Sequence, residues 1–124
     1  MTRDSFLRKL CNDFFDALER GDVAAVAEFY APGMTMWVNT TGDTMTREEN
    51  LAVLEQGKGL LRRRLYNDRT INTFDDGFVV QYTCHVVAKN GTQIPLSSCL
   101  VAEVHDDKIN KLYEYMDTGR LARA

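Results

Sequence analysis

The sequence lacks several features that particular functions require. Positive charge is not in excess, because the formal net charge is −3, and this argues against a nucleic-acid surface, which needs a basic field. No apolar run reaches the length of about 18 residues that a membrane span needs. Charged residues interrupt the N-terminal region, which therefore does not resemble a signal peptide. We expect no nucleic-acid partner and no membrane association.

Cysteine is scarce and its spacing is uninformative. Cys11, Cys84 and Cys99 contain no CxxC pair, and three thiols cannot all pair within one chain, so reduced cysteines in a cytoplasmic protein are predicted. Cys–His metal spacing, HExxH, GxSxG and a phosphate-binding glycine loop are all missing. We expect no metal and no tightly held organic cofactor.

What the chain does contain is a pattern of helices near its start. Its 124 residues suffice for one domain, predicted over 1–117 with a short mobile tail at 118–124. Apolar residues at helical spacing predict a helix over 4–20, namely Leu7, Leu10, Cys11, Phe14 and Leu18. Asp22 is predicted to cap a second helix that Pro32 and Gly33 stop.

A short strand and a third helix come next. The run TMWVN, residues 35–39, predicts the strand, and the polar loop TTGDT follows it. Thr46 and Glu49 have the spacing of a capping box, which predicts a third helix that decays at Gly57 and Gly59.

The remaining sequence predicts four strands, over 62–74, 78–89, 93–105 and 108–117. Turn residues separate them, including Asn90-Gly91 and Asp106-Asp107. Helices followed by antiparallel strands indicate an α+β fold with the helices on one face of a curved sheet. The basic run Arg62-Arg63-Arg64 is interpreted as a strand start with solvated arginines. Tyr66, Asp68 and Arg69 are interpreted as a bulge or an edge ion pair rather than as pocket residues.

The strings FFDALERGD, EFYAPGMTMW and KINKLYEYMD, in this order, resemble the nuclear transport factor 2-like superfamily, in particular its SnoaL-like and ketosteroid isomerase-like members. The resemblance covers nearly the whole chain. It implies a cone-shaped α+β barrel, in which three N-terminal helices pack on a strongly bent antiparallel (mixed) sheet that encloses a pocket. It also implies a homodimer formed through the outer face of the sheet, and a small hydrophobic molecule as ligand.

The two faces of strand 78–89 differ in polarity. Simple alternation would turn the polar odd residues, among them Thr83 and His85, toward water. Alignment with the family at Asn90-Gly91 implies the opposite, with the odd residues, Val87 included, in the cavity. The apolar even set, including Cys84, would then form the dimer face together with Cys99, because an all-apolar exposed face needs a cover.

Other strands supply the remaining pocket candidates. Glu114 between Leu112 and Met116 suits an acid in an apolar pocket, and the family alignment also places these three inside. Trp37 and Asn39 share a face and are assigned to the pocket by alternation together with the resemblance. The other predicted substrate-binding residues are Phe14, Leu18, Thr83, Val87, Ser98, Leu112 and Met116.

The resemblance separates possible reactions. The positions of the ketosteroid isomerase tyrosine and general base correspond to Phe14 and Trp37, which cannot perform those roles, so that mechanism is rejected. Asn39 and Glu114 match residues of limonene epoxide hydrolase, whereas Thr83 and His85 do not match its Arg-x-Asp pair.

The leading hypothesis is therefore a cofactor-independent lyase or isomerase, dehydratase- or cyclase-like, in which His85 and Glu114 are the acid/base pair and Asn39 assists. A purely structural role remains open for each of these residues and for Trp37. A non-catalytic small-molecule binding protein, epoxide hydrolase-like water addition and an interaction protein, as in nuclear transport, are the alternatives.

Overall fold

A computed structural model describes residues 1–60 and 63–122 of the chain. Ten elements follow one another: α1 Arg3–Arg20, α2 Val23–Phe29, β1 Tyr30–Val38, β2 Thr44–Thr46, α3 Arg47–Leu60, β3 Arg63–Phe74, β4 Gly77–Val87, β5 Gln93–His105, β6 Lys108–Met116 and α4 Gly119–Ala122. Within the described residues, no helix is both long and apolar enough to cross a membrane.

Helix α1 forms where the sequence predicts it. The Thr2 hydroxyl accepts a hydrogen bond from the backbone N–H of Ser5, and Gly21 closes the helix in the left-handed conformation, with φ +67°. The predicted apolar face is buried except for Leu18, which is partly buried, and the face also includes Phe15, which the helical pattern did not single out. This face of α1 packs on β3 and β4 and forms the floor of the core.

The segment after α1 differs from the prediction at its boundaries. Helix α2 ends at Phe29, and β1 begins at Tyr30, so Pro32 and Gly33 lie within the strand instead of stopping the helix. The short strand β2, which pairs antiparallel with β1, was not predicted; it runs from the last residue of the predicted loop, Thr44, to the predicted helix cap, Thr46. The capping box at the start of α3 is confirmed, because Thr46 and Glu49 each accept the other's backbone N–H through a side-chain oxygen, at 3.0 and 3.2 Å.

The sheet has six strands in the order β2-β1-β6-β5-β4-β3. All neighbours are antiparallel except β1 and β6, which run parallel, so the sheet is mixed as expected. It is open, with β2 and β3 at its two edges, rather than closed into a barrel. The turns at Asn90-Gly91 and Asp106-Asp107 are confirmed, and both aspartates adopt positive φ. The predicted strand start at residue 62 lies outside the described residues.

Arg69 connects β3 to α1. Its guanidinium contacts Asp16 at 3.0 Å and Glu19 at 3.4 Å and lies over the Phe15 ring at 5.3 Å from the ring centre. The adjacent Asp68 has φ +56° at a register shift between β3 and β4. The predicted bulge and ion pair are therefore confirmed for Asp68 and Arg69, and they fix the helix over the inner face of the sheet.

The C-terminal segment is more ordered than the predicted tail. Residues Gly119–Ala122 form the short helix α4, which contacts β5, and Leu121 borders the internal cavity. Residues 123–124 lie outside the described part of the chain.

Candidate active site

A cavity of about 580 Å³ lies between the helices and the inner face of the sheet. Most of the side chains around it are apolar or aromatic, and the polar ones are a few convergent groups, which is the usual composition of a small-molecule site. The lining includes Phe14, Phe15, Leu18, Tyr30, Met36, Val38, Asn50, Leu54, Arg64, Tyr66, Tyr82, Cys84, Leu96, Leu100, Leu112, Glu114 and Met116.

Glu114 contributes the only carboxyl group among the described residues that line this cavity. It lies on β6 between Leu112 and Met116, and strand alternation turns all three inward, as predicted. Its backbone is opposite Leu100 on β5 and Val38 on β1, which also border the cavity. Two flanking strands therefore hold the carboxyl in an apolar setting.

Burial raises the pKa of Glu114 above its usual value of 4.5, because an apolar surrounding disfavours the charged form. The Tyr82 hydroxyl, 3.3 Å from Oε2, donates a hydrogen bond that opposes this rise, and the Arg64 guanidinium opposes it as well. A carboxyl with a raised pKa is a stronger base than an ordinary carboxylate, and its protonated form can return the proton.

Three buried tyrosines border the same cavity as the carboxyl. Tyr66 and Tyr82 pack against Phe15, with ring centres 5.2 and 4.8 Å from the phenyl ring. Tyr30 donates its hydroxyl proton to Oδ1 of buried Asn50 at 2.8 Å. Burial, as the main cause, raises the pKa of all three hydroxyls, so they remain neutral hydrogen-bond donors at physiological pH.

Cys84 also borders the cavity, which contradicts its predicted place on the outer face. Burial raises the pKa of its thiol to about 11, and the Arg64 guanidinium opposes that rise. A thiol of this pKa carries little thiolate at neutral pH, so it is a poor nucleophile. Cys99 on β5 is partly buried and alternates with the inward-facing residues of that strand, so it lies on the outer face, as predicted.

The structure places five predicted site residues in the cavity lining, namely Phe14, Leu18, Leu112, Glu114 and Met116. The prediction that Thr83, His85 and Val87 line it is wrong, because the even residues of β4 face inward. Ser98 shares the inward parity of β5, but its hydroxyl donates to the Leu96 carbonyl at 3.1 Å and does not border the cavity.

His85 lies on the outer face of the sheet. Its Nδ1 is 2.9 Å from Oδ1 of Asn67, a neighbour on β3, and this contact satisfies the ring nitrogen. Tyr66 and Cys84, which alternate with Asn67 and His85, are the residues of these strands that border the cavity. His85 and Glu114 are therefore on opposite faces and do not form the expected pair.

Trp37 and Asn39 also lie outside the cavity, contrary to the prediction. Indole Nε1–H donates to the Gly42 carbonyl at 3.2 Å, and the indole ring packs on Tyr115 at 5.2 Å between ring centres. Asn39 donates to the Met116 carbonyl and accepts from the Met116 N–H, so its amide extends the pairing of β1 with β6. The alternate residues Met36 and Val38 occupy the cavity wall instead.

Several polar residues of the site were not predicted. Tyr30, Asn50, Arg64, Tyr66 and Tyr82 all border the cavity. The interpretation of Arg64 as solvated is wrong, because Arg64 is partly buried and borders the cavity, and the exclusion of Tyr66 from the pocket is also wrong, because Tyr66 is buried in the cavity lining. The side chain of Arg63 and the whole of Arg62 lie outside the description. The signal for Tyr82 was available, because simple polarity alternation in 78–89 turns the even set inward.

Comparisons with known proteins agree with this architecture. A family model described as a SnoaL-like domain matches residues 12–112. No curated protein sequence is similar enough to match. A candidate polyketide cyclase from Xanthomonas campestris pv. campestris superposes with a TM-score of 0.87 at 20% identity, over 97% of this chain and 96% of that one.

Two further solved structures share the fold. A nuclear transport factor 2-like protein from Burkholderia xenovorans has a TM-score of 0.79 at 18% identity, over 100% of this chain and 98% of that one. A protein with a ketosteroid isomerase-like fold from Catenulispora acidiphila, in complex with trimethylamine, has a TM-score of 0.76 at 14% identity, over 86% of this chain and 83% of that one. Because the family model covers most of the chain, the chain belongs to the SnoaL-like domain family, with a nuclear transport factor 2-like fold.

Proposed function

We propose that the cavity binds a small, largely apolar molecule and that Glu114 exchanges a proton with it, in a cofactor-independent isomerisation, cyclisation or elimination. The observation that carries this proposal is the position of Glu114: one carboxyl with a raised pKa, in a cavity of apolar and aromatic side chains, with a tyrosine hydroxyl on its oxygen. This combination is typical of a general acid/base.

The proposed chemistry uses the side chains already present. The Glu114 carboxylate removes a proton from a carbon next to a carbonyl group of the ligand, and the electron pair moves to the carbonyl oxygen. A neutral tyrosine hydroxyl then donates to the developing enolate. The hydroxyl protons of Tyr82 and Tyr30 are engaged with Glu114 and Asn50, whereas the Tyr66 hydroxyl accepts from Arg64 and keeps its own proton to donate. Return of the proton at another position completes an isomerisation.

His85 has no part in this proposal. Its ring lies on the outer face with Asn67, so the acid/base work falls to Glu114 alone. Water addition to an epoxide is also not proposed, because Trp37 and Asn39, which were expected to hold the water, are engaged outside the cavity.

The similarity to a candidate polyketide cyclase supports the choice of substrate class. Polyketide intermediates contain carbonyl groups flanked by weakly acidic C–H bonds, which are the bonds that one buried carboxylate can deprotonate.

Solvent deuterium exchange tests the proposal directly. Small apolar ketones and β-diketones are incubated with the protein in D₂O, and loss of the α-proton signal is followed by NMR. We expect catalysed exchange that Glu114→Gln abolishes and that His85→Ala, the matched control on the outer face, leaves intact. Exchange that survives in Glu114→Gln, or disappears in His85→Ala, would refute the role of Glu114.

A non-catalytic binding protein is the second candidate. The specific observation in its favour is that, among the described residues of the cavity lining, neither a histidine nor a second carboxyl accompanies Glu114, since His85 lies on the outer face. This candidate predicts that a bound ligand, detected by native mass spectrometry, shows no faster exchange than it does in buffer.

We also propose that the chain forms a homodimer through the outer face of its sheet. Trp37 and Tyr115 form an aromatic pair on this face, and Tyr115 is 44% exposed. Large exposed aromatic side chains are enriched at protein interfaces. Light scattering after size exclusion tests this, with a dimer expected for the unmodified chain and a monomer for Tyr115→Lys.

A further inference from the structure

A second cavity adjoins the first at the ends of α1 and α3. This groove has a volume of about 360 Å³, and Leu18, Leu54, Arg64 and Tyr66 line both spaces. These four residues form the boundary between the apolar cavity and the groove. Glu19, Arg20, Asp22 and Lys58 are the other charged residues of the groove, so its polarity contrasts with that of the cavity.

Arg64 is the one cation among the described residues that line the cavity itself. It lies two residues before Tyr66 on β3 and therefore shares the inward face of that strand. Its Nη2 is 3.5 Å from the position that a Cβ on Gly57 would occupy, so the guanidinium lies close against the backbone of α3. The Arg64 side chain is partly buried between β3 and α3, and this packing holds the cation at the boundary.

The other charged side chains of the groove have partners. Glu19 pairs with Arg69 at 3.4 Å, Arg20 with Asp22 at 3.8 Å and Lys58 with Glu55 at 3.2 Å. Within residues 1–60 and 63–122, no carboxylate oxygen lies within 4.0 Å of the Arg64 guanidinium. The guanidinium hydrogen-bonds to the Tyr66 hydroxyl and acts on Glu114 only at longer range. A half-buried guanidinium with no carboxylate in direct contact favours an anion, and its planar fork matches a carboxylate in particular.

We infer that the natural ligand is amphipathic, with a carboxylate that Arg64 binds at the boundary of the two cavities and an apolar body that extends toward Glu114. This inference rests on the proposed function, because it names the class of molecule that the same cavity takes. On the sheet, Arg64 lies opposite Val86 of β4, whereas Glu114 maps through Leu100 to Val80, so the two residues are three strands and six positions apart. Both nevertheless border the same cavity, and the Arg64 guanidinium lowers the pKa of Glu114, so one ligand in the cavity can reach both groups.

A matched pair of fluorescent probes tests the inference. 4-(Pyren-1-yl)butanoate and its methyl ester have the same apolar body and differ in one negative charge, and their binding is measured by fluorescence titration at pH 7. We expect the acid to bind roughly tenfold to a hundredfold more tightly than the ester, which is the usual effect of a hydrogen bond to a charged group.

Three variants identify the source of this preference. Arg64→Gln is expected to weaken binding of the acid to the level of the ester and to leave the ester unchanged. Arg64→Lys keeps the charge and is expected to keep part of the preference, which also shows that the fold tolerates substitution at this position. Arg20→Gln removes an exposed arginine that is paired with Asp22 in the same groove, and is expected to change neither affinity.

The outcomes separate the two proposals. Equal binding of acid and ester by the unmodified chain, or equal weakening of both in Arg64→Gln, would overturn the carboxylate inference while the cavity remained a binding site. Failure of both probes to bind would overturn the inference together with the proposed function. Retention of the full preference in Arg64→Gln would show that another group recognises the anion.

Discussion

Replacement of Glu114 by glutamine should remove a pH dependence from the stability of the fold. Burial raises the pKa of the folded carboxyl above its unfolded value of 4.5. The folded state therefore holds this proton more tightly than the unfolded state does. The stabilising contribution is fully present below pH 4.5 and is lost as the pH rises through the folded pKa. Glutamine has the same size, cannot ionise and can still accept the Tyr82 hydrogen bond.

The expected magnitude follows from proton linkage. Between the unfolded and folded pKa values, one proton separates the two states, so the free energy of unfolding falls by up to about 1.4 kcal/mol per pH unit. Above the folded pKa both states are ionised and the slope returns to zero. The difference between wild type and Glu114→Gln should therefore be small near pH 4, grow in favour of the variant with rising pH and then level off.

Urea unfolding at half-unit steps from pH 4 to 8 measures this difference, because every other titrating group cancels between the two proteins. Tyr82→Phe is the control at the same site: it removes the donor 3.3 Å from Oε2, which favours the charged form, and should extend the sloping region to higher pH. A difference curve that is flat, or that favours wild type at high pH, would refute the argument that the cavity desolvates Glu114.

Two further substitutions test the packing around the site. Gly77→Ala should destabilise the fold by about 3 kcal/mol in urea unfolding, because the new Cβ would lie 1.8 Å from the backbone oxygen of Ala102. Gly33→Ala is the matched control, because its new Cβ would have no atom within 4 Å, and it should be neutral or stabilise the fold by up to about 1 kcal/mol. Tyr30→Phe should cost roughly 1–3 kcal/mol in the same assay, because buried Asn50 loses the hydroxyl at 2.8 Å; no loss would mean that this hydrogen bond contributes nothing net.

Local patterns predicted most elements of the fold because their causes are local. The helical spacing of apolar residues, the capping box at Thr46 and Glu49, and the two-residue turns act within a few positions of themselves. The boundary errors arose where tertiary pairing outweighs local preference. Pro32 and Gly33 read as helix-stopping residues, but β1 includes both because the chain has already left α2 at Tyr30 to pair with β6.

The site was half predicted, and the error has a single origin. Alternation in 78–89 offers two faces, and polarity alone turns Tyr82 and Cys84 inward, as observed. Alignment with the family at Asn90-Gly91 assigned the odd residues to the cavity and therefore placed Thr83 and His85 in the pocket. A shift of one residue exchanges every side chain of a strand between core and surface, so an alignment that is wrong by one position misplaces all the inward residues of that strand. Glu114 was placed correctly because its two neighbours of the same parity are apolar.

Arg64 and Tyr66 could not be found by local reasoning. A run of three basic residues before a strand is typical of a solvated segment, and nothing within the run indicates that its last member points into a cavity. Its position depends on α3, which passes close to it at Gly57, and on the parity set by Tyr66. Both are contacts between elements far apart in sequence.

The residues that would perform the chemistry also belong to the core, and this affects how the site can work. Tyr66 and Tyr82 are no more than 7% exposed. The Phe15 ring packs on Tyr66, and the Arg69 side chain donates a hydrogen bond to the Tyr66 backbone carbonyl, so both hold Tyr66 in place. Their hydroxyls are therefore fixed before any ligand enters, and donors held in place need little reorganisation when charge develops on a ligand. The same burial keeps the tyrosines neutral and raises the pKa of Glu114, so one packing arrangement supplies both the donor and the base. A site of this kind would be sensitive to substitutions on α1 that never touch the ligand, because moving Phe15 moves both hydroxyls together.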